Sequence, residues 1–374
     1  MGSESLYRSL QQHLDRMPIG FPATASGVEI RILERLFTPE QAEIALGLSA
    51  IPEPARIIHK RLKSQETIEE LRSALDEMER KGLILRIPGP EGPHYSKLIF
   101  AIGVYERQLP RMTPEFERDV RQYMEEAFHG AFHSTRTTQM RIVPVNRTVA
   151  IERSVATHDD IRGHIEKSAG PFAKAPCICR HGKDLLGEPC KQTDLRENCL
   201  TIGMAARWMA NTGGGRTISR QEMLDLLDEA DRQGLVLQPQ NTRDPIFICC
   251  CCHCCCGVLT SARLFPRPAD YFSSTFFAAV DSDACQSCGT CLSRCQMDAI
   301  RMDSGPAEVD LSRCIGCALC LTTCPSGAMR LEEKTAQRVP PDETRALYMQ
   351  ILQERYGPWG MMKIGTRKLL GLKI

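Results

Sequence analysis

Cys285-x-x-Cys288-x-x-Cys291-x-x-x-Cys295 is followed, after an 18-residue gap, by Cys314-x-x-Cys317-x-x-Cys320-x-x-x-Cys324-Pro325. Each cysteine of the first quartet meets its counterpart 29 residues later, and the same offset carries Ala299 onto Ala328. The stretch is a duplicated unit, not a chance gathering of thiols. A disulfide framework needs no such periodicity, and zinc ribbons space their ligands two plus two.

The chemistry that suits this spacing is a [4Fe–4S] cube, whose four irons each take one thiolate. Three cysteines at two-residue intervals wrap one region of the cube, and the fourth ligand comes from farther away. The run resembles the bacterial two-[4Fe–4S], clostridial-type ferredoxin family over about residues 281–332. In that family the fourth cysteine of each half ligates the other cluster. The resemblance therefore implies one cube on Cys285, Cys288, Cys291 and Cys324, and a second on Cys314, Cys317, Cys320 and Cys295. Gln296 stands where the family usually has a proline, which changes turn rigidity and removes no ligand. Gly289, Gly316 and Ala318 are small enough to let backbone amides approach the sulfurs, where hydrogen bonds raise a cluster's potential.

A chain of 374 residues accommodates two to four small domains. With 47 basic against 46 acidic residues, global charge favours neither nucleic acid nor acidic partners. All nineteen cysteines lie between 177 and 324. The first twenty residues hold Glu4, Arg8, Asp15 and Arg16 and no apolar core segment, so no secretory leader is expected. Reduced thiols held as metal ligands in a cytoplasm fit this usage. No apolar run approaches the length that spans a bilayer.

The overall expectation is an α+β chain with a winged-helix-like part at 1–110 and a connector of helix and strands at 111–176. A cysteine-rich domain at 177–260, the two-cluster domain at 281–332, and a helix with an apolar, basic tail at 340–374 complete it. Residues 1–27 read as a frayed lead-in. Val28 to Leu48 reads as a helix broken at Thr38-Pro39, and Ala55 to Leu62 as a short one. Thr67-x-x-Glu70 is a capping-box signature opening a helix on Ile68, Leu71, Leu75 and Met78, which Gly82 stops. Strands at Leu83–Ile87 and Tyr95–Ala101 flank a Pro/Gly turn. Helices followed by a hairpin resemble the winged-helix fold over roughly residues 28–102. The candidate recognition helix, Thr67 to Lys81, carries five acids against three bases, which favours protein docking over a phosphate-lined groove. The basic stretch His59 to Lys63 keeps nucleic acid as the lesser alternative. A helix is expected over Thr113–Phe132, and strands over Met140–Val145 and Thr148–Ile151.

In the middle, Cys177, Cys179, Cys190 and Cys199 fall within 23 residues, a set suited to one [4Fe–4S] cluster or one zinc. Iron is favoured, because a chain that assembles two cubes is made where iron and sulfide are delivered. A helix over Thr201–Met209 and a second one capped by Ser219-x-x-Glu222 follow. The device Arg80-Lys81-Gly82-Leu83-Ile84-Leu85 recurs as Arg232-Gln233-Gly234-Leu235-Val236-Leu237. Then comes Cys249-Cys250-Cys251-Cys252-His253-Cys254-Cys255-Cys256-Gly257. Successive side chains of an extended chain point to opposite faces, so this run cannot aim every sulfur at one cube. Either it lies between two metal sites, or some sulfurs are ligands and the rest are spare or reactive. The candidate ligands here are Cys249, Cys251, Cys252, Cys254, Cys255 and Cys256. Cys255-Cys256-Gly257 resembles the CCG element of heterodisulfide-reductase-type proteins, which bind unusual clusters. The order of elements over about residues 30–330 is similar to that of multidomain iron–sulfur proteins of anaerobes, described generically as ferredoxins.

The expected role is electron transfer: two adjoining cubes, with one or two further clusters or zinc, exchange low-potential electrons with a protein donor and a protein acceptor. Two other readings are a redox-responsive DNA-binding regulator and a reductase with substrate chemistry at the 177–256 cysteines. No Gly-x-Gly-x-x-Gly follows a strand, so no dinucleotide site is expected. The tail from Trp359 to Ile374 fits packing on this chain or on a partner, and in third place contact with a membrane surface.

Overall fold

The computed structural model describes residues 3–63, 65–145, 158–212, 214–335, 338–369 and 373. The chain divides into two units, Met1–Thr135 with Met349–Ile374, and Arg136–Tyr348.

In the first unit the expected lead-in is instead a helix, Ser3–Leu14, with Leu6, Tyr7 and Leu10 buried. Leu6 and Leu10 recur at helical spacing, and the Tyr7 hydroxyl donates to the Phe37 carbonyl at 2.8 Å. Helices Val28–Leu36 and Pro39–Leu46 are separated as the sequence predicts. Thr38 caps the second, its side chain accepting from the Gln41 amide, with Pro39 in the first turn. Ala55–Leu62 and Ile68–Arg80 follow, and the Thr67–Glu70 capping box is formed in both directions, at 3.2 and 2.8 Å. Gly82 takes φ 73° and releases the chain into Ile84–Ile87, which pairs with His94–Lys97. A short third strand, Glu53–Pro54, lies on the other side of His94–Lys97. The expected Tyr95–Ala101 strand thus ends early, and Phe100–Val104 forms an irregular turn.

The Thr113–Phe132 expectation is met by Pro114–Tyr123, a wide turn at Met124–Phe128, and His129–Phe132. Phe21, Phe100, Tyr123 and Phe128 pack with ring centroids 4.7–5.9 Å apart. The last helix, Thr344–Leu369, bends at Gly357, where φ is 63° and Pro358 follows. Its Arg355 donates to the Met17 carbonyl at 2.6 Å, and Lys373 donates to the Leu46 carbonyl at 2.7 Å. The tail therefore packs in part on its own unit, while Trp359 and Met362 face outward. Leu370, Leu372 and Ile374 lie outside the described residues.

The second unit is built on a five-stranded antiparallel sheet. Its order is Arg216–Ile218, Phe172–Ala175, Cys199–Ile202, Phe247–Cys251, Val236–Pro239. Cys199–Ile202 occupies part of the expected Thr201–Met209 helix, which starts later, at Met204. Gly203, at φ 64°, makes the change of direction. Ser219 caps Arg220–Arg232, and Gly234 repeats the left-handed exit of Gly82 at φ 72°. This second helix–Gly–strand device again leads into an antiparallel hairpin, Val236–Pro239 with Phe247–Cys251, which here forms one edge of the large sheet. Met140–Val145 makes only isolated bridges, to Gln240, Ser273 and Leu237, because it divides its pairing between two neighbours. The expected Thr148–Ile151 strand lies outside the described residues.

The duplicated stretch folds as two halves whose strands exchange partners. Phe276–Val280, at its start, pairs with Met329–Glu333, at its end; Ile300–Arg301 pairs with Glu308–Val309 between them. One hydrophobic core runs from the large sheet into this region, through Cys252, Leu259, Phe276, Met297 and Leu319.

Candidate iron–sulfur and thiolate centres

The exchange of strands carries each fourth cysteine toward the other half. Cys295 lines a cavity with Cys314, Cys317 and Cys320, together with Ala278, Ala299 and Gly316. These are the four sulfurs that the family resemblance groups together. Cys285, Cys288 and Cys324 lie close enough to Cys291 for their charges to act on it. The Ala278 amide donates to the Cys314 sulfur and the Ala299 amide to Cys295, both at 3.2 Å. Donors of this kind stabilise electron-rich sulfur. Gly316 sits at φ 69°, and a Cβ there would lie 2.1 Å from the Phe276 carbonyl oxygen. Ala318, at φ 67°, adopts the same left-handed backbone at a steric cost. The two quartets differ in exposure: Cys288 is exposed, whereas Cys314 and Cys320 are buried. Burial pushes the Cys317 thiol up to about 12, the cost of a lone thiolate in this cavity.

The structure redistributes the middle cysteines. Cys177, Cys179, Cys190 and Cys199 do not form one group. Cys190 instead meets Cys252, Cys254 and Cys255 on the turn after Phe247–Cys251, with all four sulfurs within 4.8 Å of one another. The distances are 3.6 Å from Cys190 to Cys252 and to Cys254, 3.5 Å between Cys252 and Cys254, and 3.7 Å between Cys254 and Cys255.

A second group forms on the sheet. Cys199 is the register partner of Cys249, so both project to one face, and Cys251 shares it by the two-residue period. The Cys249 and Cys251 thiols hydrogen-bond, as do Cys251 and Cys256, and Cys177 and Cys179. Cys179 also lies beside Cys256, and Cys177 beside Cys249. Cys250 points to the opposite side of the strand into the core, where burial pushes its thiol up to about 12. The alternation expected of an extended run therefore separates its sulfurs, and the turn that follows separates them again.

Arg180 stands between the two groups. It is 1% exposed, and its Nη2 donates to the Cys252 sulfur at 3.3 Å and the Cys250 carbonyl at 3.1 Å. Its Nε and Nη1 are buried with no hydrogen bond of normal geometry. Burial alone would lower its pKa, but the neighbouring Cys177 and Cys252 thiolates raise it on balance. Reciprocally, Cys177 is lowered by its hydrogen bond with Cys179 and Cys252 by its hydrogen bond with Cys255, each helped by the Arg180 charge. A buried guanidinium requires anionic company, and orphaned donors aimed at thiols fit metal-bound sulfur. Its place directly after Cys-x-Cys, beside His181 and Lys183, already marked Arg180 in the sequence as a cation able to steady thiolate charge; the structure adds its burial and its contact with Cys252. On the second group, Gln238, fully buried, donates to the Cys256 sulfur at 3.6 Å.

Gln296, the residue in place of the usual proline, has a specific contact. Its Oε1 accepts from the His253 amide at 2.9 Å and lies 2.8 Å from the His253 ring Nδ1. The turn bearing Cys252 and Cys254 is thus tied to the residue after Cys295. Arg294 makes a further tie, donating to the Asp231 and Arg232 carbonyls at 2.6 and 3.0 Å. In the first unit, Arg61 of the basic stretch is paired with Glu53 at 2.8 Å and with the Gly47 carbonyl at 2.7 Å, so its charge is already engaged.

Among the described residues no helix is long and apolar enough to cross a membrane. No match was found among curated proteins or solved structures. Residues 278–331 match the family model of a 4Fe-4S dicluster domain, which supports an iron–sulfur protein with a role in electron transfer.

Proposed function

We propose that this chain relays low-potential electrons between a protein donor and a protein acceptor. One [4Fe–4S] centre would be held by Cys285, Cys288, Cys291 and Cys324, and the other by Cys314, Cys317, Cys320 and Cys295. The observation that carries this reading is the cavity that Cys295 shares with three cysteines of the opposite half. Bound clusters supply one-electron chemistry at thiolate-saturated irons, without an open coordination position. The protein's own groups set the conditions. The Ala278 and Ala299 amides favour the reduced, more negative state, burial around Cys314 and Cys320 excludes water, and exposed Cys288 marks the side from which a partner can approach.

We assign a further iron–sulfur centre to the group of Cys177, Cys179, Cys199, Cys249, Cys251 and Cys256, a thiol supply larger than one cube needs. The core continuity from Cys251 and Cys256 to Cys291, Cys314 and Cys320 supports its inclusion in the relay. We read the first unit as a winged-helix-like docking module; a sheet ordered Glu53–Pro54, His94–Lys97, Ile84–Ile87 beside its helices supports that reading. Its engaged Arg61 and acidic Ile68–Arg80 helix support a protein partner over DNA.

The test is iron and acid-labile sulfide per chain on anaerobically purified protein, with electron paramagnetic resonance after reduction. About twelve irons are expected, four for each of three centres. Cys288→Ala and Cys317→Ala should each lose or degrade one dicluster centre and leave the remaining iron in place. Loss of all iron from either variant contradicts independent sites, and a total of about eight confines the clusters to the dicluster stretch.

A further inference from the structure

We infer that Cys190, Cys252, Cys254 and Cys255 form a single-ion site for zinc, distinct in kind from the cluster sites. The argument is one of distances. Four sulfurs about 2.3 Å from one tetrahedral zinc stand about 3.8 Å from one another. Thiolates that cap four different irons of a cube stand farther apart, on the order of 6 Å. The contacts within this group are 3.5 to 3.7 Å. There is room between these sulfurs for one ion and none for a cube.

The same chain provides the contrast. Among the described residues, the only four-sulfur set gathered within 4.8 Å is this one. The dicluster cysteines instead stand around a cavity, as Cys295, Cys314, Cys317 and Cys320 do. The compact Cys190 quartet thus differs from the Cys295 quartet spread around a space, and the compact form suits one ion.

Charge and connectivity agree. Four thiolates around a divalent ion leave two negative charges, and the Arg180 guanidinium, buried against Cys252, offsets one of them. The ligand set is closed, with no place reserved for water, which is the form of structural zinc sites. It joins the loop bearing Cys190 to a turn 62 residues later, directly after the Phe247–Cys251 strand. Through His253 and Gln296 that turn is anchored to the dicluster stretch. The ion would fix the register between the large sheet and the cluster-bearing loops. Its ligand spacing, one distant cysteine and Cys252-x-Cys254-Cys255, departs from the two-plus-two pattern, so the sequence offered all four as candidate cluster or zinc ligands without grouping them.

The experiment is elemental analysis of the full-length protein, purified anaerobically, with zinc K-edge X-ray absorption on the same sample. The expected result is about one zinc per chain bound by four sulfurs at about 2.3 Å. In Cys190→Ser and Cys254→Ser the zinc should be lost or its sulfur count reduced, while iron and sulfide per chain stay unchanged. Absence of zinc, with about four irons lost from these variants, would overturn the inference in favour of a cube. One mononuclear iron at the site would overturn the choice of metal. The absorption measurement on the unaltered protein decides even if a serine variant fails to fold. Failure here leaves the relay reading intact, because that reading rests on the iron of other cysteines.

Discussion

Gly316 shows how little freedom the cluster loops have. Its left-handed backbone costs a non-glycine residue about 1–2 kcal/mol, and a Cβ would also strike the Phe276 carbonyl oxygen at 2.1 Å. Gly289 is left-handed too, but its nearest obstacle is the flexible Met302 side chain at 3.4 Å. Gly316→Ala should therefore lose the iron held around Cys314, Cys317 and Cys320. Gly289→Ala should keep full iron content with a modest loss of stability. Iron per chain and thermal denaturation of the two variants check the difference; equal iron loss in both would contradict it. The dicluster stretch and its two left-handed glycines were legible in the sequence, because repetition at a fixed offset needs no knowledge of distant contacts. The pairing of Cys190 with Cys252, Cys254 and Cys255 was not, because sequence proximity grouped Cys190 with Cys177, Cys179 and Cys199. Only the sheet register, Cys199 against Cys249, determines which sulfurs share a face.

At the scale of elements, the Ser3–Leu14 helix was missed and the Ile68–Arg80 helix was not. The second announces itself through the Thr67–Glu70 capping box, a local signal. The first carries no such signature in its sequence and is held by burial, including that of His13, whose Nε2 is 2.8 Å from the Leu48 carbonyl. Burial, assisted by the Lys97 charge, lowers the His13 pKa from 6.5 to about 3. Between those values the unfolded chain binds a proton that the folded chain does not. The stabilisation from neutral His13 is thus complete above pH 6.5 and declines as the pH falls toward 3. Hydrogen exchange of the Ser3–Leu14 amides, corrected for intrinsic rates, should show protection falling from pH 7 to pH 5. In His13→Gln the fall should be smaller, and an unchanged slope would exclude His13 as its cause. The Cys199–Ile202 strand was hidden for a related reason. Its short apolar run fits strand or helix equally well, and only its neighbours in the sheet decide.

At the scale of the whole molecule, every cysteine belongs to the unit Arg136–Tyr348. That unit, expressed alone under anaerobic conditions, should retain the iron, sulfide and visible spectrum of the full chain. A soluble but bleached fragment would show that the first unit takes part in holding or assembling the metal. The α+β character and the order of cysteine-rich and dicluster stretches could be read from the sequence. The division at 135 could not, because the final helix joins the first unit from the far end of the chain.

The unequal burial of the two quartets also bears on how the protein ages in air. Dioxygen and peroxide arrive from solvent, and Cys288 lies at the surface while Cys314 and Cys320 are enclosed. Damage should begin at the outer quartet and reach the inner one later, so that a partly oxidised preparation is a mixture with a defined sequence of decay. On the proposed relay, the surface that would admit a redox partner is the same surface that admits the oxidant, and a docked partner would serve both the speed of electron exchange and the lifetime of the outermost centre.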